Sequence, residues 1–211
     1  MLIDPNVLAV FVTASVALAM APGPDNIFVL TQSALYGRMA GVIVTLGLCV
    51  GVMVHTTAVA LGVAVIFQTS ALAFTVLKLL GAAYLLYLAW KAFRAGATEI
   101  GAGGGPLPPR ALFLRGVVMN VTNPKVAIFF LAFLPQFADP ARGSVTAQIF
   151  LFGLTFVVCA LLVFSAVAIA AGSLGTWLAR RPQAQVVINR VAGVVFVGLA
   201  LRLLASERLG S

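Results

Sequence analysis

The stretch from Val7 to Leu35 reads VLAVFVTASVALAMAPGPDNIFVLTQSAL. A transmembrane helix needs about 20 mostly apolar residues, and this run supplies them. Pro22-Gly23-Pro24-Asp25 interrupts it near the middle. The two prolines remove two N–H donors and release carbonyls one turn earlier. Hydrocarbon offers those carbonyls no partner, so such a break is tolerated only where protein or a water-filled cavity lines it. It should therefore face the centre of the molecule. The device recurs in residues 113–136, where Asn123-Pro124-Lys125 interrupts a second apolar run 100 positions after the first break.

Composition agrees with a membrane chain. A length of 211 residues alone would suit one or two soluble domains. Apolar residues make up 62% and charged residues 9%, against roughly 45–50% and 25% in soluble domains. Eighteen charged side chains do not cover a globular surface that would bury this much apolar sequence. A soluble enzyme, a nucleic-acid-binding domain and a disordered regulator are excluded. The net charge of +8 reads as the Lys/Arg excess of cytoplasmic loops rather than a contact with nucleic acid. Cys49 and Cys159 both lie within apolar runs and read as packing residues. Ala17-Leu18-Ala19 resembles a signal-peptidase site, but no positive residue precedes it and apolar sequence resumes at once; the segment is expected to be a retained span.

Six spans are expected, at about 7–35, 40–67, 71–93, 113–136, 146–171 and 186–205. The Gly- and Pro-rich stretch 94–112 reads as a flexible hinge between a first three-helix repeat (1–93) and a second (113–211). Lys78-x-x-Gly81-x-x-Tyr84 in the third span matches Arg190-x-x-Gly193-x-x-Phe196 in the sixth. An odd number of spans per repeat inverts the second copy. The predicted fold is thus an all-α membrane protein of two inverted repeats, each with a broken first helix. That pattern is a signature of secondary transporters. Loops 36–39, 94–112 and 172–185 with their flanks carry Arg38, Lys91, Arg94, Arg110, Arg115, Arg180 and Arg181; the other side carries Arg142, Arg202 and Arg208. Seven against three puts those loops in the cytoplasm and both termini outside.

The chemistry should collect at the breaks. Pro22, Gly23, Pro24 and Pro124 are the expected breaking and gating positions, and each helix restarting after them presents a partly positive N-terminus. Asp25 and Lys125 each follow the proline of their break. A charge at mid-depth costs roughly 2.5–3.5 kcal/mol on insertion scales, so both should face the interior. They are expected either to form an ion pair with one another or to hold the ammonium and carboxylate of a zwitterion. Asn26, Asn120 and Asn123 add amide groups beside them, with Gln32 and Gln136 within a few turns. His55 shares an i, i+4, i+8 line with Gly47 and Gly51, which places it against protein, as a packing histidine or a proton relay. Lys78 either lines a path or snorkels outward. Trp90, Tyr84 and Tyr87 read as interfacial or packing aromatics rather than ligand contacts. The sequence holds no HExxH, paired thiols at metal spacing, Walker loop or clustered carboxylates, so no metal, cofactor or ATP drive is expected.

Several of these residues together resemble the LysE/RhtB family of amino-acid exporters. They are Ala21-Pro22-Gly23-Pro24-Asp25-Asn26, Gly37-Arg38-x-x-Gly41, Val54-His55-Thr56, Lys78 through Leu85, and Asn123-Pro124-Lys125 followed by Phe129 through Phe137. The likeness runs from about residue 5 to 205, with Thr122 where the family often has an aliphatic residue. It implies an inner-membrane exporter of amino acids or close derivatives, driven by the proton gradient, with Asp25 and His55 as candidates for the coupling. The expected partners are a small zwitterion and the lipid bilayer; association into a homo-oligomer is left open. Two other classes compete: an intramembrane thiol-redox or ion carrier of the wider superfamily, the former using Cys49 and Cys159, and a passive channel or structural subunit.

Overall fold

The computed structural model describes residues 2–21, 23–63, 71–95 and 107–205, and among them helix dominates and no strand occurs. Pro22 and residues 96–106 of the expected hinge lie outside the described residues. Helix α1 spans Pro5–Met20, opened by Asp4, whose carboxylate accepts the Asn6 N–H at 2.8 Å, and by Pro5 at the first position. Helix α2 spans Pro24–Tyr36, and the two axes bend by 60° at the break. Gly37, at φ 87°, turns the chain within one residue into α3, Arg38–Ala58, which ends in a π-helical turn, Val59–Val63. A side chain would be strained at that φ, and glycine is not.

Helix α4 spans Ala71–Arg94. Helix α5, Pro109–Val121, starts inside the expected hinge because Pro109 is preorganised for the first helical position. Helix α6, Pro124–Ile128, follows a 50° bend and continues as a π turn, Phe129–Phe133, and a 3₁₀ turn, Leu134–Phe137. Helix α7 runs Val145–Arg180 and α8 Pro182–Ala205. The expected loop 172–185 is therefore corrected: helix occupies most of it, and only Arg181 separates α7 from α8. At 1.5 Å per residue, 36 residues reach about 54 Å, well beyond a hydrocarbon core of about 30 Å.

Among the described residues, three helices are long and apolar enough to cross a membrane, Arg38–Gly62, Val145–Ala171 and Gln183–Ala205. Each bent pair passes the same test when taken as one span, which gives up to five. The sequence reading counts residues 71–93 as a sixth; helix α4 occupies them but is not among the helices that pass.

Glycines set the packing. A Cβ on Gly47 would run into the Phe113 carbonyl, and one on Gly116 into that of Val44, so α3 and α5 approach backbone to backbone. Gly41 meets Ala168 and Gly153 meets Thr56, so α3 and α7 run antiparallel. Helices α4 and α8 do likewise: Gly81 lies against Leu203, Gly193 against Phe93, and the Asn189 amide donates to the Ala95 carbonyl at 3.3 Å. Lys78 donates to the Leu204 carbonyl at 3.4 Å, so it caps the end of α8. Phe11, Phe129, Phe133, Phe137 and Phe152 stack in one buried cluster with ring centroids about 5–6 Å apart. Tyr87 and Trp90 lie exposed on α4, with Lys91 and Arg94 over their rings.

Candidate functional site

The two breaks meet. Each ends a helix whose last carbonyls lack intrahelical donors. At the end of α1, Ala17 accepts from the Ala21 N–H at 2.9 Å, and Ala19 accepts from the Asn26 amide at 2.6 Å. Leu18 and Ala21 accept from the Lys125 ammonium at 3.2 and 3.0 Å, although Lys125 belongs to the other break. At the end of α5, the Asn120 carbonyl cannot bond Pro124, which has no N–H. It accepts instead from the Asn123 N–H at 3.0 Å, and His55 Nε2 lies 3.2 Å away. A carbonyl only accepts, so Nε2 carries the proton in that contact.

Asp25 and Lys125 occupy equivalent places, each second in the helix that follows its break. Both are buried. Gly23 precedes Pro24, and a Cβ there would stand 3.2 Å from the Lys125 ammonium, so its missing side chain makes room for that group. Asn123 caps α6, its Oδ1 accepting the Lys125 N–H at 3.0 Å. The Asn120 amide donates to Asp25 Oδ2 at 3.3 Å. The expected ion pair between Asp25 and Lys125 is not formed. Among the described residues, the ion pairs join Arg142 to Asp4 at 2.8 Å and to Asp139 at 3.4 Å. The carbonyls freed at α1 capture the lysine instead, because a helix C-terminus carries partial negative charge and its acceptors are fixed in place.

Asp25, Asn120 and Lys125 line a cavity with Leu18, Ala19, Leu48, Val52, Val126, Phe156, Ala160 and Phe164. Its water-accessible volume is about 10 Å³, which is space for about one water molecule. Several buried polar atoms around the breaks have no hydrogen-bond partner: Asp25 Oδ1, Asn26 Oδ1, Asn120 Oδ1 and Asn123 Nδ2. Gln32 Oε1, further along α2, is in the same condition. Buried polar groups are ordinarily bonded, so this concentration marks a place prepared for something polar. Gln136 stands apart, bonding its own turn through Ala132. Cys49 and Cys159 are buried free thiols. Pro22, an expected part of the break, lies outside the described residues.

Sequence reasoning missed the apolar wall. Phe156 and Phe164 sit on α7, which is apolar on every side, so no periodicity distinguishes the face they share.

Residues 16–207 match the family described as LysE type translocator. The chain belongs to the LysE family. That membership, with several apolar helices among the described residues, makes it a multi-pass transporter of the bacterial inner membrane and not an enzyme. It is 33% identical to the homoserine/homoserine lactone efflux protein of Salmonella typhimurium strain LT2, over 94% of this chain and 95% of that one. An uncharacterized membrane protein of Vibrio cholerae serotype O1 is 31% identical over 97% and 99% of the two chains. The leucine efflux protein of Salmonella choleraesuis is 27% identical over 92% of each. No solved structure matches the chain.

Proposed function

We propose that this LysE-family protein is a secondary exporter of amino acids or close derivatives, coupled to proton entry, with its binding site where the two helix breaks meet. The carrying observation is the cavity between them, whose lining joins the Asp25 carboxylate, the Lys125 ammonium and the unpartnered amide oxygen of Asn120 among apolar side chains. Asp25 Oδ1, with the side-chain oxygens of Asn26 and Asn120, suits a substrate ammonium. Asn123 Nδ2 and the positive charge of Lys125 suit a carboxylate. Leu48, Val52, Val126, Phe156 and Phe164 offer no partner for a second charge, which favours substrates with neutral side chains. The efflux relatives named for leucine and for homoserine fit that range.

An inverted repeat supports the transporter reading. Gly41 and Gly153, 112 positions apart, each meet the antiparallel partner helix, at Ala168 and Thr56, which are themselves 112 apart. Gly81 and Gly193 keep the same spacing in α4 and α8. Such coincident spacing with antiparallel packing is what two copies related by an in-plane axis would produce. Gating would then rock one copy against the other, with Pro24 and Pro124 at the pivots.

A proton and a substrate ammonium compete for one carboxylate, which is sufficient for coupling through Asp25. The test uses purified protein in liposomes with labelled leucine and homoserine under an imposed pH gradient. Uphill movement is expected, with collapse on adding a protonophore. Downhill movement alone, unaffected by the gradient, would replace the exporter with a passive pore.

A further inference from the structure

We propose that the carbonyls of Leu18 and Ala21, at the broken end of α1, form a site for a primary ammonium that Lys125 fills from within the chain as a tethered counter-cation. The proposal rests on the exporter reading for its functional consequence but not for its chemistry. Lys125 is 93% buried, yet its ammonium bonds no carboxylate: it donates to Leu18 at 3.2 Å and to Ala21 at 3.0 Å. An ammonium has three donors, so one is left for a group in the cavity that Lys125 lines.

The site is fitted to a small primary ammonium. Gly23 carries no Cβ to crowd Nζ: one there would stand 3.2 Å from it, so the missing side chain leaves room for a compact ammonium. The carbonyls belong to a helix C-terminus, whose partial negative charge favours a cation. Pro22, four residues on, has no N–H to give the Leu18 carbonyl, and hydrocarbon would supply none. The lysine thus does for α1 what an inorganic cation or a substrate amine would otherwise have to do. A carrier built this way returns through its substrate-free state with the break already satisfied, and its net efflux does not depend on sodium or potassium.

Removing the tether should make the site answer to a free amine. Lys125→Ala is expected to lower the melting temperature of the purified protein in detergent. Ethylammonium chloride should restore about 3 °C once it exceeds its dissociation constant several-fold. Tetramethylammonium chloride at equal ionic strength has no N–H to donate and should restore nothing, and wild type should respond to neither. In liposomes, ethylammonium on both sides should raise the net efflux of Lys125→Ala several-fold. Lys125→Met, whose longer chain fills the vacated space, should show no rescue. Equal stabilisation by both amines, or none by ethylammonium, overturns the proposal.

If Lys125→Ala yields too little protein, Gly23→Ala reads the same contact, because its methyl presses on the ammonium. A lower melting temperature and slower net efflux are expected, and unchanged values of both overturn the proposal. A lysine serving only the substrate carboxylate predicts a different result: Lys125→Met would impair leucine transport and spare leucine methyl ester. Wild-type liposomes that move no amino acid would sink the exporter reading alone, since the amine-dependent melting shift needs no transport.

Discussion

Asp25 keeps one carboxylate oxygen bonded to Asn120 and the other without a protein partner. A charged hydrogen bond contributes about 1.5–3 kcal/mol, so Asp25→Asn should weaken substrate exchange at least about tenfold. It should also abolish the response to a pH gradient; full gradient-driven uphill transport by the variant would move the coupling elsewhere. Asp4 makes a second prediction, at the edge of the bundle. The Asn6 backbone N–H, chiefly, and the Arg142 guanidinium hold its carboxyl below the usual 3.8. A lowered folded value means stabilisation that is present above the unfolded value and lost as pH falls through the folded one. Asp4→Asn should therefore melt below wild type at neutral pH, with the gap closing below about pH 4. The sequence made Asp25, Asn120, Asn123 and Lys125 legible, because polar groups in apolar runs are conspicuous. It did not reveal where the lysine points, since its acceptors are backbone carbonyls that every residue carries.

At the scale of elements, prolines and glycines wrote the boundaries. Pro5, Pro24, Pro109 and Pro124 each open a helix, and the two breaks lie where the sequence reading placed them. Pro24→Ala and Pro124→Ala should insert normally and export several-fold more slowly, as a straighter helix withdraws the groups around the cavity. Wild-type efflux at equal expression would make both bends incidental. Gly116→Val should be worse for folding than for chemistry. Its side chain meets the Val44 carbonyl at a backbone approach that cannot widen, and overpacking costs typically 1–3 kcal/mol. A drop in melting temperature checks it. The π turn at Phe129–Phe133 had no advance signal, because five apolar residues read the same in any helix. Nor did the length of α7: the stretch from residue 172 read as a loop, and the helix runs on to Arg180.

For the whole molecule, the ends sort consistently. Asp4 meets Arg142 at one end of the bundle, whereas Ala95 meets Asn189 between the other turns. By the Lys/Arg excess on the side of residues 94–112, a reporter fused after Gly105 should be cytoplasmic, and one fused at the C-terminus external. Finding both on one side would remove the inverted arrangement. The helical class was open to sequence reading because hydropathy, length and charge all bear on it, but pairing was not, since close contacts depend on where small residues happen to face. One such contact bears on biosynthesis. Lys125 follows Ala21 by 104 residues, so the first half of the chain leaves the ribosome long before the Leu18 and Ala21 carbonyls have their lysine donor. Until α6 arrives, the Leu18 and Ala21 carbonyls must stay near water or the insertion machinery. The second half thus completes the first, and a nascent chain halted before residue 109 is a natural target for membrane quality control.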